Sequence, residues 1–201
     1  QRNALLKQSR GRLDEAAALT LDVWDDRLTR AGEALAERRA AALAELVPRM
    51  TQAYRDLAGI ALPVSGTYDA PWRAVGLAQA LADARNQDLR RGVTTVGPHR
   101  DEVVLGIDDL PARTHASQGE QRSLALAMRL AVHRAITEIS GESPILLLDD
   151  VLSELDDGRT EALLAHLPPG QTLLTTAGPL PRQTEPELVL RVADGRIGPD
   201  G

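Results

Sequence analysis

At 201 residues and a formal net charge of −6, the chain has room for one large domain or two small ones. Its acidity argues against an all-over basic nucleic-acid binder but leaves a local arginine patch open. The lack of cysteine excludes a disulfide framework or thiolate metal site and fits a cytoplasmic protein, and no apolar run approaches the roughly 18 residues of a membrane span.

In chain order, Gln1-Arg2-Asn3-Ala4-Leu5-Leu6-Lys7 reads like the middle of a helix, and the chain is expected to be a segment of a longer protein. From Leu13 to about Leu57 the composition is Ala, Leu, Glu and Arg, which favours helix. Apolar residues recur there at helical spacing through Leu21, Trp24, Leu28, Ala31 and Leu35, then Leu43, Leu46 and Met50. Pro48 is expected to kink or divide that helix, because it removes a donor and crowds the preceding turn. Ile60 to Tyr68 reads as extended, and a helix is expected from Pro71 to Arg91 with Gly92 at its end.

After Gly92 the pattern changes. Val93–Val96, Glu102–Ile107, Ile145–Leu148, Gln171–Thr176 and Leu188–Val192 read as short strands. Between them, helices are expected over Gln118 to Glu138 and Asp157 to Leu167. This alternation predicts an α/β layer with parallel pairing, and the boundary is placed near residues 91–93.

Two motifs carry chemistry. Ile145-Leu146-Leu147-Leu148 is uniformly apolar, as for a strand covered on both faces, and ends in Asp149-Asp150. Ligands of open α/β sheets gather at that end, and a Mg²⁺ carrying waters and phosphates offsets paired carboxylates. One acid would hold the metal and the next would orient the attacking water; two solvated acids opening a loop is the plainer alternative. Ser153-Glu154-Leu155-Asp156 follows, with Asp156 also a plausible helix cap. Upstream, Ser117-Gln118-Gly119-Glu120-Gln121 opens a helix. Gly119 admits a phosphate to free N–H groups at a helix start, whereas Ser117-x-x-Glu120 is also a capping box. At the end of the next predicted strand, Thr176 could offer a hydroxyl to a γ-phosphate or simply end the strand.

In that order the motifs resemble the signature, Walker B and D-loop of ABC-type ATPases of the SMC and RecF kind. Thr95-Val96-Gly97-Pro98-His99-Arg100-Asp101, Gln1 to Lys7, Val23-Trp24-Asp25 and Leu146 to Asp156 narrow the resemblance to the RecF family. Glu102 stands where that family usually has a second Asp, and His99 can equally be a turn histidine.

The resemblance implies a partly parallel ABC-type ATPase lobe over 92–201 and a helical arm over 1–91. It implies ATP and Mg²⁺ as cofactors, with Ser117, Gln118, Gly119, Glu120 and Gln121 reaching ATP held by a second subunit. Asp149 would serve as metal ligand, Asp150 as the catalytic acid, and Ser153, Asp156 and Thr176 as nucleotide contacts. The implied partners are double-stranded/single-stranded DNA junctions, a second copy in an ATP-dependent homodimer, and RecO and RecR in loading RecA during gap repair. No P-loop is present: Lys7 is the only lysine, and no glycine-rich turn precedes it. This segment alone is therefore expected to be inactive. Asp150 stands where many ABC ATPases carry Glu, and misplacement of about 1 Å can cost about 10²-fold, so slow hydrolysis is expected of the whole protein. An SMC-type clamp head and a transporter nucleotide-binding domain are the competing readings. Arg10, Arg12, Arg27, Arg30, Arg38 and Arg39 are candidate DNA contacts, or solvated and ion-paired residues.

Overall fold

Asp14 starts the longest element by accepting a hydrogen bond from the Ala17 N–H at 2.7 Å, capping a helix rich in strong helix formers. The computed structural model describes residues 1–182 and 184–199. After α1 (Arg2–Gln8), helix α2 runs unbroken from Glu15 to Ala58. Pro48 lies inside it, so the expected division does not occur. The buried stripe of α2 also differs from the simple pattern. Leu21, Ala36 and Met50 are buried, whereas Leu35 is exposed.

Strand β1 (Val64–Asp69) pairs antiparallel with β2 (Glu102–Ile107), and β2 with the short β3 (Leu110–Pro111). A Cβ on Gly66 would stand 2.8 Å from Val47 Cγ2, so only glycine lets β1 lie this close to α2. A 3-10 turn (Pro71–Ala74) leads to α3 (Leu77–Arg91), which ends on Gly92 in the left-handed region at φ 65. Trp72, Leu77 and Leu81 form a buried cluster with Ala36 and Ala70.

Val93–Val96 is not a strand. Asn3 Oδ1 accepts from the Thr94 N–H at 2.8 Å and Asp88 Oδ1 from the Thr95 N–H at 2.9 Å. Side chains thus take the bonds a neighbouring strand would have made.

Helix α4 (Ala112–His115) is followed by α5 (Gln118–Ser140), strand β4 (Leu146–Asp149), a 3-10 turn (Val151–Glu154), α6 (Asp157–Ala165) and β5 (Thr172–Thr175). β4 and β5 pair in parallel, the α/β arrangement the alternation predicted. β6 (Leu190–Ala193) and β7 (Arg196–Pro199) form a separate hairpin. β4 is covered on one face only: Leu146 and Leu148 are buried, but Leu147 is 68% exposed. The expectation of a strand covered on both faces does not hold here, because the described residues supply a single two-stranded layer at this point.

The chain forms two compact units, Gln1–Thr51 with Leu62–Ala116, and Gln52–Ala61 with Ser117 onward. The changeover falls after Ala116 rather than near 91–93, because β2 completes a sheet with β1. Among the described residues no helix is long and apolar enough to cross a membrane.

Candidate functional site

The residues foreseen for the nucleotide site all lie in the second unit, whereas the candidate DNA contacts Arg10, Arg12, Arg27, Arg30, Arg38 and Arg39 lie in the first. Asp149 closes β4, and parallel register sets it beside Thr175. Thr175 Oγ1 donates to Asp149 Oδ1 at 2.5 Å. Asp150 then turns the chain through the left-handed region, φ 51 and ψ 25. Aspartate tolerates that conformation better than most residues, at a cost on the order of 1 kcal/mol. The Asp150 N–H is held by both the Thr175 carbonyl and its hydroxyl, each at 3.1 Å. Ser153 Oγ donates to the Asp150 carbonyl at 2.8 Å, fixing the 3-10 turn that follows. Both acids are exposed at the carboxyl end of the strand.

At the start of α5, the capping box foreseen for Ser117 and Glu120 is present. The Glu120 N–H donates to Ser117 Oγ at 3.3 Å, and Glu120 Oε2 accepts from the Ser117 N–H and hydroxyl, each at 2.7 Å. This is a complete capping box. Those two bonds from Ser117, side chain first, hold the Glu120 carboxyl below its usual range. Gln118 and Gln121 are exposed on the first turn, with the Gln121 N–H bonded to the Ser117 carbonyl at 2.9 Å.

Gly119 is covered by a side chain that the sequence did not single out. A Cβ there would lie 2.9 Å from Arg159 Nη1. Arg159 in turn pairs with Asp156, whose Oδ1 caps α6 by accepting from the Arg159 N–H at 2.9 Å. That backbone bond, with the guanidinium adding to it, lowers the Asp156 carboxyl. A second link joins the same two segments: Arg122 Nη1 donates to the Glu154 carbonyl at 3.0 Å. The helix start is thereby tied to the turn that follows the acids. Beneath it, burial raises the Tyr54 hydroxyl, with repulsion from Glu120 adding and Arg159 opposing.

Thr176 Oγ1 accepts from the Gly178 N–H at 3.1 Å, a turn-closing bond. Thr175, one residue earlier, is the hydroxyl beside the acids. Arg159 carried a faint signal, since it stands three residues after Asp156 on a helix. Thr175 carried none, because strand register is not written in either strand alone.

Among the described residues there is no cluster of three or more His, Asp or Glu that could cage a metal. The donors here are oxygen only: one exposed carboxylate steadied by a hydroxyl. That set fits Mg²⁺, which binds through one or two carboxylates and completes its shell with water and phosphate.

No family model matches the chain. Over 192 residues it is 43% identical to the DNA replication and repair protein RecF of Streptomyces avermitilis, covering 88% of this chain and 51% of that protein. The Synechocystis RecF is 41% identical over 192 residues, covering 88% and 50%. The Gloeobacter violaceus RecF is 38% identical over 211 residues, covering 98% and 56%. The chain belongs to the RecF family. A solved structure of the recombination mediator protein RecF with ATP, in the RecFOR pathway, superposes with a TM-score of 0.80 at 27% identity, over 98% of this chain and 54% of that one. The RecF complex described as RecF-ATPrS gives a TM-score of 0.81 at 26% identity, covering 100% and 55%. The mixed α/β architecture is thus that of RecF structures, and the chain spans about half the length of the RecF proteins it matches.

Proposed function

We propose that this chain supplies the signature turn, the acidic strand end and the following turn of an ATP-dependent, DNA-binding recombination mediator. The observation that carries the reading is the exposed Asp149-Asp150 pair at the carboxyl end of a parallel strand, in a chain of the RecF family. Support also comes from the likeness to RecF solved with ATP.

In this reading the first turn of α5, from Ser117 to Gln121, faces the triphosphate of a second subunit. The Gly119 backbone and the helix start favour the anion there. Asp149 would hold a Mg²⁺, whose chemistry when bound would be to offset phosphate charge. Asp150 orients the attacking water and accepts its proton. Ser153 and Asp156 shape the turn between the two half-sites. ATP then closes a homodimer on duplex DNA near single-stranded gaps, in the cytoplasm, with RecO and RecR as partners in loading RecA.

The test uses the full-length protein. Asp150→Asn is expected to keep ATP-dependent dimerisation, followed by light scattering, while turnover falls at least about 10²-fold, the scale on which a misplaced catalytic group acts. Unchanged turnover would remove Asp150 from the mechanism. Loss of dimerisation together with turnover would assign the residue to assembly instead.

A further inference from the structure

The two acids hang on one side chain of the neighbouring strand. A threonine hydroxyl has a single proton and two lone pairs. Here the proton goes to Asp149 Oδ1 at 2.5 Å, and a lone pair receives the Asp150 N–H at 3.1 Å. The assignment follows from the partners, because an N–H cannot accept and an ionised carboxylate cannot donate.

Stability gives little reason for this arrangement. Both carboxylates are exposed, so water could replace the hydroxyl as a partner at small net cost. What water could not do is hold direction. The bond to Oδ1 selects one orientation of the Asp149 carboxylate, while the Asp150 N–H is shared between the hydroxyl and the Thr175 carbonyl, which holds the turn by itself. Neighbouring Thr176 has the same chemistry but spends its hydroxyl on Gly178. Thr176 lies just past the end of β5, outside the register that places Thr175 beside Asp149.

We propose that Thr175 is a positioning residue of the ATPase, its hydroxyl orienting Asp149 toward the divalent cation. The inference rests on the nucleotide-site reading above. Residues that steady a metal ligand in this way typically change metal affinity or activity by about 10–100-fold when removed.

The experiment compares full-length wild type with Thr175→Val and Thr175→Ser. Valine keeps the branched shape on the strand and loses the hydroxyl; serine keeps the hydroxyl. Mn²⁺ uptake in the presence of a non-hydrolysable ATP analogue is read by electron paramagnetic resonance, with thermal unfolding as the folding control. The valine variant is expected to bind Mn²⁺ at least about tenfold more weakly, with serine restoring most of the loss. Its kcat is expected to fall with little change in KM for ATP. Wild-type affinity in the folded valine variant would overturn this inference alone. Failure of the wild type to take up Mn²⁺ with nucleotide would overturn the nucleotide-site reading, and this inference with it. A serine variant as weak as valine would also overturn it, since shape rather than the hydroxyl would then be the cause.

Discussion

The first unit buries a cluster of charged side chains around Asp88, and the second leaves its acid pair exposed. Asp88 is fully buried and receives Arg2 Nη1 at 2.7 Å, while Arg2 Nε reaches Asp25 at 2.6 Å. Thr94 and Thr95 complete the set. Asp101 accepts from Trp72 Nε1 at 2.7 Å and from the Tyr68 hydroxyl at 2.5 Å, and His99 Nε2 meets the Thr94 carbonyl at 3.0 Å. The Gly97-to-Asp101 block, whose role composition could not supply, is wired into this internal network. Asp149 and Asp150, by contrast, stand exposed at a strand end with a single hydroxyl between them. Equal residue types therefore serve opposite ends: partners all round make an acid structural, and an open side makes it available for chemistry.

The largest effect that could break this contrast is in the first unit. Asp88→Ala leaves the Thr95 N–H and hydroxyl without their acceptor and Arg2 with Asp25 as its one remaining carboxylate, and breaking a buried pair typically costs about 3–5 kcal/mol. Urea unfolding should register a loss of that size. A loss near that of an exposed substitution would mean the cluster is not structural.

A smaller stability effect is expected at Gly119→Ala. Alanine favours a helix over glycine by about 1 kcal/mol, against which the flexible end of Arg159 must give way from 2.9 Å. Calorimetry should show a change within about 1 kcal/mol of either sign. ATP-dependent dimerisation of the full-length protein should nonetheless be lost, because the methyl narrows the approach to the helix start. Retained dimerisation would move the phosphate contact elsewhere.

The smallest effect is in the dependence on pH. The Glu120 carboxyl is held below its ordinary range by Ser117, so its contribution to folding is complete above the unfolded value and is lost as pH falls through the lowered one. Glu120→Gln should lower the melting temperature slightly at neutral pH and leave it almost unchanged in strong acid, so that the acid side of the profile flattens. A steeper acid limb in the variant would reverse the sign of this coupling.

Helix α5 and strand β4 are legible in the sequence because periodicity and an apolar run are local signals. The capping box is legible for the same reason. The loop at Val93–Val96 is not, since β-branched residues there meet Asn3, 91 positions away, instead of a strand. Nor is the unbroken α2, where Pro48 fails to stop a helix already packed on both sides of it by Leu43, Val47 and Met50. Of the site, the acids and the turn can be read from residue type and order. Thr175 cannot, because its partner is set by strand register, and Arg159 only faintly, because its spacing from Asp156 shows while its cover of Gly119 depends on packing.

The left-handed turn at Asp150 is held through its backbone, by Thr175 below and Ser153 beyond, and not through its carboxylate. The carboxylate is therefore a pendant on a mount that does not depend on it. On the proposed nucleotide-dimer reading, a change confined to that pendant would yield a subunit that folds, pairs and then stalls its partner. On the dimer reading, inherited substitutions at Asp150 should act dominantly, whereas those at Asp88 should be recessive through loss of the folded chain.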